Sequence, residues 1–269
     1  MSDPPRDAAT VILLRDAPRA GAAGYEAFLL RRRRGASFMS GAYVFPGGAA
    51  DPDDAGDLRI TAARELFEEA GVLLAHGAPP AAELATMRRE VLDGAPLAPM
   101  LATRGLSLDA GALHYYAHWI TPSVEKKRFS ARFYVALLPA GQEPSFDDRE
   151  TVDEAWVTPA EALARVADLH LPPPQVRTFH ELAAAASIAD VLAECAARAA
   201  APHPIMPRLA PLPVGFALLL PWDPEYETAG TGDAAPMPAG HPLATGPSRF
   251  VMEDRAWKHL FAPAGTTTG

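Results

Sequence analysis

The spacing of apolar positions along this chain switches between a strand-like and a helix-like period, and each switch marks an element. "ATVILLRD" at 9–16 is an apolar, partly β-branched run and predicts a buried strand. "YEAFLLRRRR" at 25–34 predicts its hairpin partner, reached through the turn-like "APRAGAAG" at 17–24. A loop over 35–48 ends in a short strand and a Pro-Gly-Gly turn. The acidic, turn-rich "ADPDDAGD" at 50–57 follows, with Asp57 as a helix N-cap. From 58 to 70 the period is helical: at about 100° per residue, Ile60, Ala63, Leu66, Phe67 and Ala70 share one face. Glu65, Glu68 and Glu69 gather on the opposite, exposed face, and Gly71 supplies the stop. A second helix is predicted over 81–94, strands over 112–121, 128–138 and 150–158, and a short helix over 159–167. After the "LPPP" break at 171–174, one long Ala-rich helix should run from 175 to 200. Short strands at 216–220 and 248–253 flank a Gly/Ala/Pro/Thr loop at 226–247, and no internal repeat is visible.

Composition narrows the classes. The 269 residues suffice for one large core with an appendage, and 49% hydrophobic with 21% charged residues is the balance of a soluble globular protein. A net charge of −9 argues against general binding to nucleic acid or to a membrane surface. The single cysteine, Cys195, rules out an internal disulfide or a cysteine zinc site and is expected to be a small core residue. "MSDPPRDAAT" lacks a signal-peptide core, no apolar run nears the roughly 18 residues of a membrane span, and "AGTTTG" carries no targeting tripeptide. The expected location is cytoplasmic.

Against that background the crowding in "RELFEEAGV" at 64–72 needs an explanation. Acids three and four apart on a helix repel by a few tenths of a kcal/mol per pair. A solvated face tolerates that cost, whereas a bound cation reverses its sign. "FPGG" at 45–48 and "RELFEEAG" at 64–71 together resemble the Nudix box, G-x5-E-x7-R-E-U-x-E-E-x-G-U with U apolar. Its second half is matched by Arg64, Glu65, Leu66, Glu68, Glu69, Gly71 and Val72. One position departs: eight before Arg64, where the family has Glu, this chain has Gly56, and Asp53, Asp54 or Asp57 is expected to hold Arg64 instead.

The resemblance implies an α/β Nudix fold, a mixed sheet sandwiched between helices, over 7–168. A C-terminal extension of helix and short strands over 169–269 would pack on the same domain. It implies hydrolysis of a diphosphate with Mg²⁺ or Mn²⁺ held by Glu65, Glu68 and Glu69, with Glu68 a ligand or a base and Arg64 orienting a ligand glutamate. Mg²⁺ is a hard ion that takes carboxylate oxygens, so three on one helical turn suit it. "HWITP" (118–122), "LHLPPPQ" (169–175) and "LLLPWDPEYE" (218–227) resemble the peroxisomal-type coenzyme A diphosphatases and their bacterial relatives. That branch implies cleavage of coenzyme A or acyl-CoA to 3′,5′-ADP and (acyl-)4′-phosphopantetheine. The alternatives are ADP-ribose, a dinucleotide or capped RNA as substrate, or a Nudix module that binds without catalysis.

Further candidates lie outside the box. If Arg31 to Arg34 continue a strand, two of them face a phosphate, either Arg32 with Arg34 or Arg31 with Arg33. Arg32, Arg34, Gly47 and Gly48 are the candidate substrate contacts. Among Glu143, Asp147, Asp148 and Glu150, Glu150 sits best as a general base, at the mouth of a strand. His114 and His118 read as ordinary half-buried side chains. The expected partner is a coenzyme A-like nucleotide, with homodimerisation a further expectation.

Overall fold

A computed structural model describes residues 4–17, 24–35, 39–77 and 79–263. In chain order the strands and helices are β1 (Arg6–Asp16), β2 (Tyr25–Arg32), β3 (Tyr43–Val44), β4 (Gly47–Ala49), α1 (Leu58–Ala70), β5 (Ala75–His76), α2 (Ala81–Leu92), α3 (Leu97–Thr103), β6 (Ser107–Leu108), β7 (His114–Ile120), β8 (Phe129–Leu137) and β9 (Thr151–Val157). Then come α4 (Pro159–Ala164), α5 (Pro173–Leu182), α6 (Ile188–Ala200), β10 (Pro204–Ile205), β11 (Arg208–Pro211), β12 (Phe216–Leu219), β13 (Arg249–Glu253) and β14 (Ala256–Leu260). Most of the turn predicted over 17–24, and residues 36–38 of the loop before β3, lie outside the described residues.

The main sheet is mixed, ordered β10-β7-β8-β1-β2-β3, with β4 on β1 and β9 on β2. β1 pairs in parallel with β8 and antiparallel with β2 and β4. The unbroken apolar run of β1 follows from its central place. Ala9, Val11 and Leu13 pack towards Ala62, Ala63, Leu66 and Ala70 of α1. Ile12 and Leu14 pack on the other face with Val176 and Phe179 of α5 and Val191 and Cys195 of α6. A strand covered on both sides has no polar face, so its side chains are apolar at both parities.

Two expectations change. The single helix over 175–200 is two helices, α5 and α6. Ser187 caps the second through the N–H of Asp190, a break that the "SIAD" pattern signals locally. The tail holds more strand than expected: β11 to β14 form a four-stranded antiparallel sheet. Phe250, Leu220, Leu218 and Trp257 join the same core cluster as α5 and α6. Among the described residues no helix is long and apolar enough to cross a membrane.

Candidate active site

The turn between β3 and β4 brings backbone against the acidic helix. β4 lies on β1 with Gly47 opposite Thr10 and Gly48 opposite Ala9. The Gly47 N–H donates to Glu69 Oε2 at 2.8 Å. A Cβ at Gly47 would collide with the Ala9 carbonyl and the Thr10 backbone, and one at Gly48 would lie 2.5 Å from the Glu65 carboxylate. Both glycines are therefore set by close approach. Gly48→Ala is expected to fold but displace Glu65, lowering kcat at least about tenfold. Gly47→Ala meets backbone that cannot swing aside and should lower Tm as well. Equal Tm losses in the two variants would refute this contrast.

The loop over Asp51 to Asp57 holds Arg64 through Asp54. A single turn over Pro52–Asp54 is capped at its start by the side chains of Asp51 and Asp54, which accept from the N–H groups of Asp53 and Asp51. It directs Asp54, 2% exposed, at the guanidinium: Nε donates to Oδ1 and Nη2 to Oδ2, each at 3.0 Å. Thr61 Oγ1 donates to Asp54 Oδ2 at 2.8 Å. Asp54 thus takes the place of the glutamate missing at Gly56, Asp57 caps α1 and pairs with Arg59, and Asp53 is exposed. Burial works to raise the Asp54 carboxyl, but the hydrogen bonds from Arg64, Asp51 and Thr61 outweigh it and hold the group below its ordinary 3.8. Arg64 Nη2 also donates to the Ala49 carbonyl, and Nη1 reaches Glu65 Oε1 at 2.9 Å and Glu68 Oε1 at 3.2 Å.

The acidic face is not exposed as the periodicity predicts. Glu69 is 6% exposed, and the side chains of Glu65 and Glu68 are 13% and 24% exposed: the glycine turn covers Glu65 and Glu69, and Arg64 lies against Glu68. Burial pushes the Glu65 carboxyl up to about 7, against the pull of Arg64. Burial raises Glu68 too, and it raises Glu69 well above the usual range with Glu65 adding repulsion. Glu150 adds to the repulsion on all three. Such an excess of buried negative charge is the electrostatic complement of a divalent cation, and its carboxylate oxygens are the donors Mg²⁺ and Mn²⁺ prefer. Among the described residues no three acids, histidines or cysteines are closed around one point, since Glu65 and Glu68 both turn to Arg64. The donor set fits the ion in chemistry.

The loop before β9 is clamped to α1. Ser145 N donates to the Ala70 carbonyl, and the Gln142 amide exchanges two hydrogen bonds with the Leu73 backbone. Arg88 of α2 donates to the carbonyls of Glu68, Glu69 and Ser145, tying the acidic turn to this loop. Asp147 accepts from the N–H groups of Arg149, Glu150 and Thr151, so it anchors the loop. Asp148 pairs with Arg33 and Glu143 is exposed; Glu150 lines the larger cavity beside Glu65 and Glu69, and Asp147 joins it in a smaller space at the same acids.

The arginines do not alternate as a strand would require. β2 stops at Arg32, with a register shift against β9 between Arg31 and Arg32. Arg32 lines the cavity at the acids, has a buried Nε without a hydrogen-bond partner, and lies 3.8 Å from Glu150 Oε2. Arg31 sits at Asp153 and Tyr43, Arg33 donates to the carbonyls of Asp148 and Arg149, and Arg34 is exposed in the following turn. Arg34 is therefore not brought to the site with Arg32. His118 bonds Ser130, and burial pushes its ring down to about 4. Cys195 is buried, as expected of a core residue.

A cavity of about 660 Å³ opens from Gly47, Gly48, Glu65, Glu69, Glu150 and Arg32. A smaller one of about 220 Å³ meets the same acids from the side of α2. Sequence reasoning missed Arg88, whose role needs α2 folded against α1. It also missed the contribution of the tail to the cavity wall, for which no local signal exists.

A family model described as the NUDT19 Nudix domain matches residues 52–182, and one described as the NUDIX domain matches residues 4–95. A Caenorhabditis elegans protein named putative nudix hydrolase 7 is 33% identical, over 64% of this chain and 58% of its own. The human acyl-coenzyme A diphosphatase NUDT19 is 28% identical over 66% of each chain. The chain thus spans roughly three-fifths to two-thirds of the length of these relatives. A crystal structure of a NUDIX hydrolase from Alicyclobacillus acidocaldarius, 27% identical, superposes with a TM-score of 0.63 over 72% of this chain and 97% of that one.

Proposed function

The chain belongs to the Nudix family, and from that premise we propose that it hydrolyses the diphosphate of a nucleoside diphosphate derivative with Mg²⁺ or Mn²⁺, its substrate being coenzyme A or an acyl-CoA. The observation that carries this reading is that the largely buried Glu65 and Glu69 meet Glu150 and Arg32 at a large cavity, with Glu68 beside the same acids in the smaller one. The relatives named as acyl-coenzyme A diphosphatases support the choice of substrate.

Each side chain has a task in this scheme. Glu65, Glu68 and Glu69 would hold the ion, which supplies charge neutralisation at the phosphoryl oxygens and a more acidic bound water. Arg64, fixed by Asp54, orients Glu65 and Glu68. Arg32 faces the diphosphate, and Glu150 accepts the proton of the attacking water. The water oxygen forms a new P–O bond as the bridging P–O bond breaks, releasing 3′,5′-ADP and (acyl-)4′-phosphopantetheine. The Gly47 N–H is already given to Glu69, so Gly47 shapes the site without binding phosphate itself.

A substrate panel with each metal, read out by product mass, tests the reading. It holds coenzyme A, dephospho-coenzyme A, an acyl-CoA, ADP-ribose, a dinucleotide and capped RNA. Faster cleavage of ADP-ribose than of any coenzyme A species would overturn the substrate. Arg32→Ala should cost about ten- to a hundredfold in kcat/KM, the worth of one charge-assisted phosphate contact. The double variant Arg31→Ala/Arg33→Ala should lose far less. An unaltered Arg32→Ala enzyme would remove that arginine from the site.

A further inference from the structure

We infer that the C-terminal sheet completes the substrate site, its inner face holding an uncharged, apolar arm of the diphosphate substrate, of the kind an acyl thioester carries. The inference rests on the diphosphatase reading and concerns what fills the rest of the same cavity.

The acids occupy only one end of that space. Arg6, Ala8 and Thr10 of β1 line it in succession, and Thr10 sits opposite Gly47, beside Glu69. Thr10 lies four residue steps along the strand from Arg6, about 13 Å at ~3.3 Å per residue. A diphosphate fills little of this length, and the uncharged pantetheine arm that follows it in coenzyme A takes up the rest and brings a thioester to the far end. Along it the walls are Phe129 and Phe133 of β8 on one side, with Leu209, Phe216, Leu218 and Trp257 of the tail on the other. These aromatic and aliphatic side chains suit an uncharged chain, with Arg6 and Lys127 also in the lining.

The tail's packing accounts for only part of this face: Leu218 and Trp257 join the shared core, and the Phe216 ring lies 6.1 Å from that of Trp257. Phe216 and Leu218 of β12 line the cavity, whereas Ala217 and Leu219 point the other way, into a separate cluster with Ala210 and Tyr226. That cluster and the shared core anchor the sheet on both sides of the strip, yet Phe216 remains 41% exposed at the cavity. An apolar strip continuous with a diphosphate-sized acidic pocket is explained by a substrate that has both parts.

The test measures kcat/KM for coenzyme A and for a series of saturated acyl-CoA thioesters of increasing length. In the wild-type enzyme kcat/KM should rise about two- to fourfold per methylene buried until the channel is filled. Phe216→Ala and Trp257→Ala should flatten that rise, losing at least about tenfold at the long end relative to coenzyme A. Leu209→Trp, which narrows the channel, should shift the optimum to shorter chains. Circular dichroism confirms that each variant is folded, and Phe216→Ala, at a partly exposed position, guards against loss of fold in Trp257→Ala. Parallel length profiles in wild type and all three variants would overturn the inference and leave the function standing. No cleavage of any coenzyme A species by the wild-type enzyme would overturn both.

Discussion

Glu69→Gln is expected to abolish turnover in a protein that stays folded and, without a divalent ion, melts at a higher temperature than wild type. Glu69 is 6% exposed, lies against Glu65, and receives the Gly47 N–H at 2.8 Å. An amide oxygen keeps that hydrogen bond while the buried negative charge disappears, so the acids repel one another less and the fold gains. The same charge is what a phosphoryl-transfer site needs. Its loss should cost several kcal/mol of transition-state stabilisation, roughly 10³-fold or more in kcat. Melting curves in a chelator and in excess Mg²⁺ add a second readout, because an ion that binds only the folded state raises Tm and the variant should lose most of that rise. A folded variant with near-normal kcat would remove Glu69 from the metal set.

Asp54→Ala should act in the opposite way, on stability first. The Arg64–Asp54 pair is bidentate, with Asp54 2% exposed, and removing Asp54 strips a largely buried guanidinium of both of these hydrogen bonds. Such losses run to about 3–5 kcal/mol. Arg64 would then be held only by the Ala49 carbonyl and by Glu65 and Glu68, so kcat should fall together with Tm. The sign of the pH dependence follows from the depressed Asp54 carboxyl. The unfolded chain binds its proton more readily, so the stabilisation is complete above the ordinary 3.8 and is lost as pH falls through the lower folded value. The stability difference between wild type and Asp54→Ala should accordingly shrink in acid; a difference that grows there would refute the assignment. Gly56→Glu, which restores the residue usual in the family, should not rescue the variant. Gly56 has φ +78° and no atom within 4 Å of a Cβ, so a side chain there is strained and points into open space.

Where local rules govern, the chain was legible. Helix α1 runs over the predicted 58–70, with Asp57 as its cap and Gly71 at φ 71° as its stop. The acids of 65–69 and the glycines of 47–48 were identified by their pattern and do meet. Elsewhere a correct local pattern led to a wrong inference. Arg31 to Arg34 look like a strand continuing outward, but β2 ends at Arg32, and Arg34 leaves the site. The alanines of 183–186 favour helix, yet the chain turns there and restarts at Ser187, because α5 and α6 must each lie on the sheet.

By itself, then, the sequence determined the elements, the acidic turn and its chemistry, because capping, periodicity and charge act between residues close along the chain. Tertiary structure alone decided which aspartate of 53, 54 and 57 holds Arg64, since that depends on how one short turn folds back onto α1. It decided that Glu65 and Glu69 are largely buried, because a glycine turn from another strand covers them and periodicity reports only two faces. It also decided that Phe216 of β12 and Trp257 of β14, far along the chain from Gly47 and Gly48, wall the same cavity. Burial and cavity shape are set by contacts between distant segments, which no local spacing encodes.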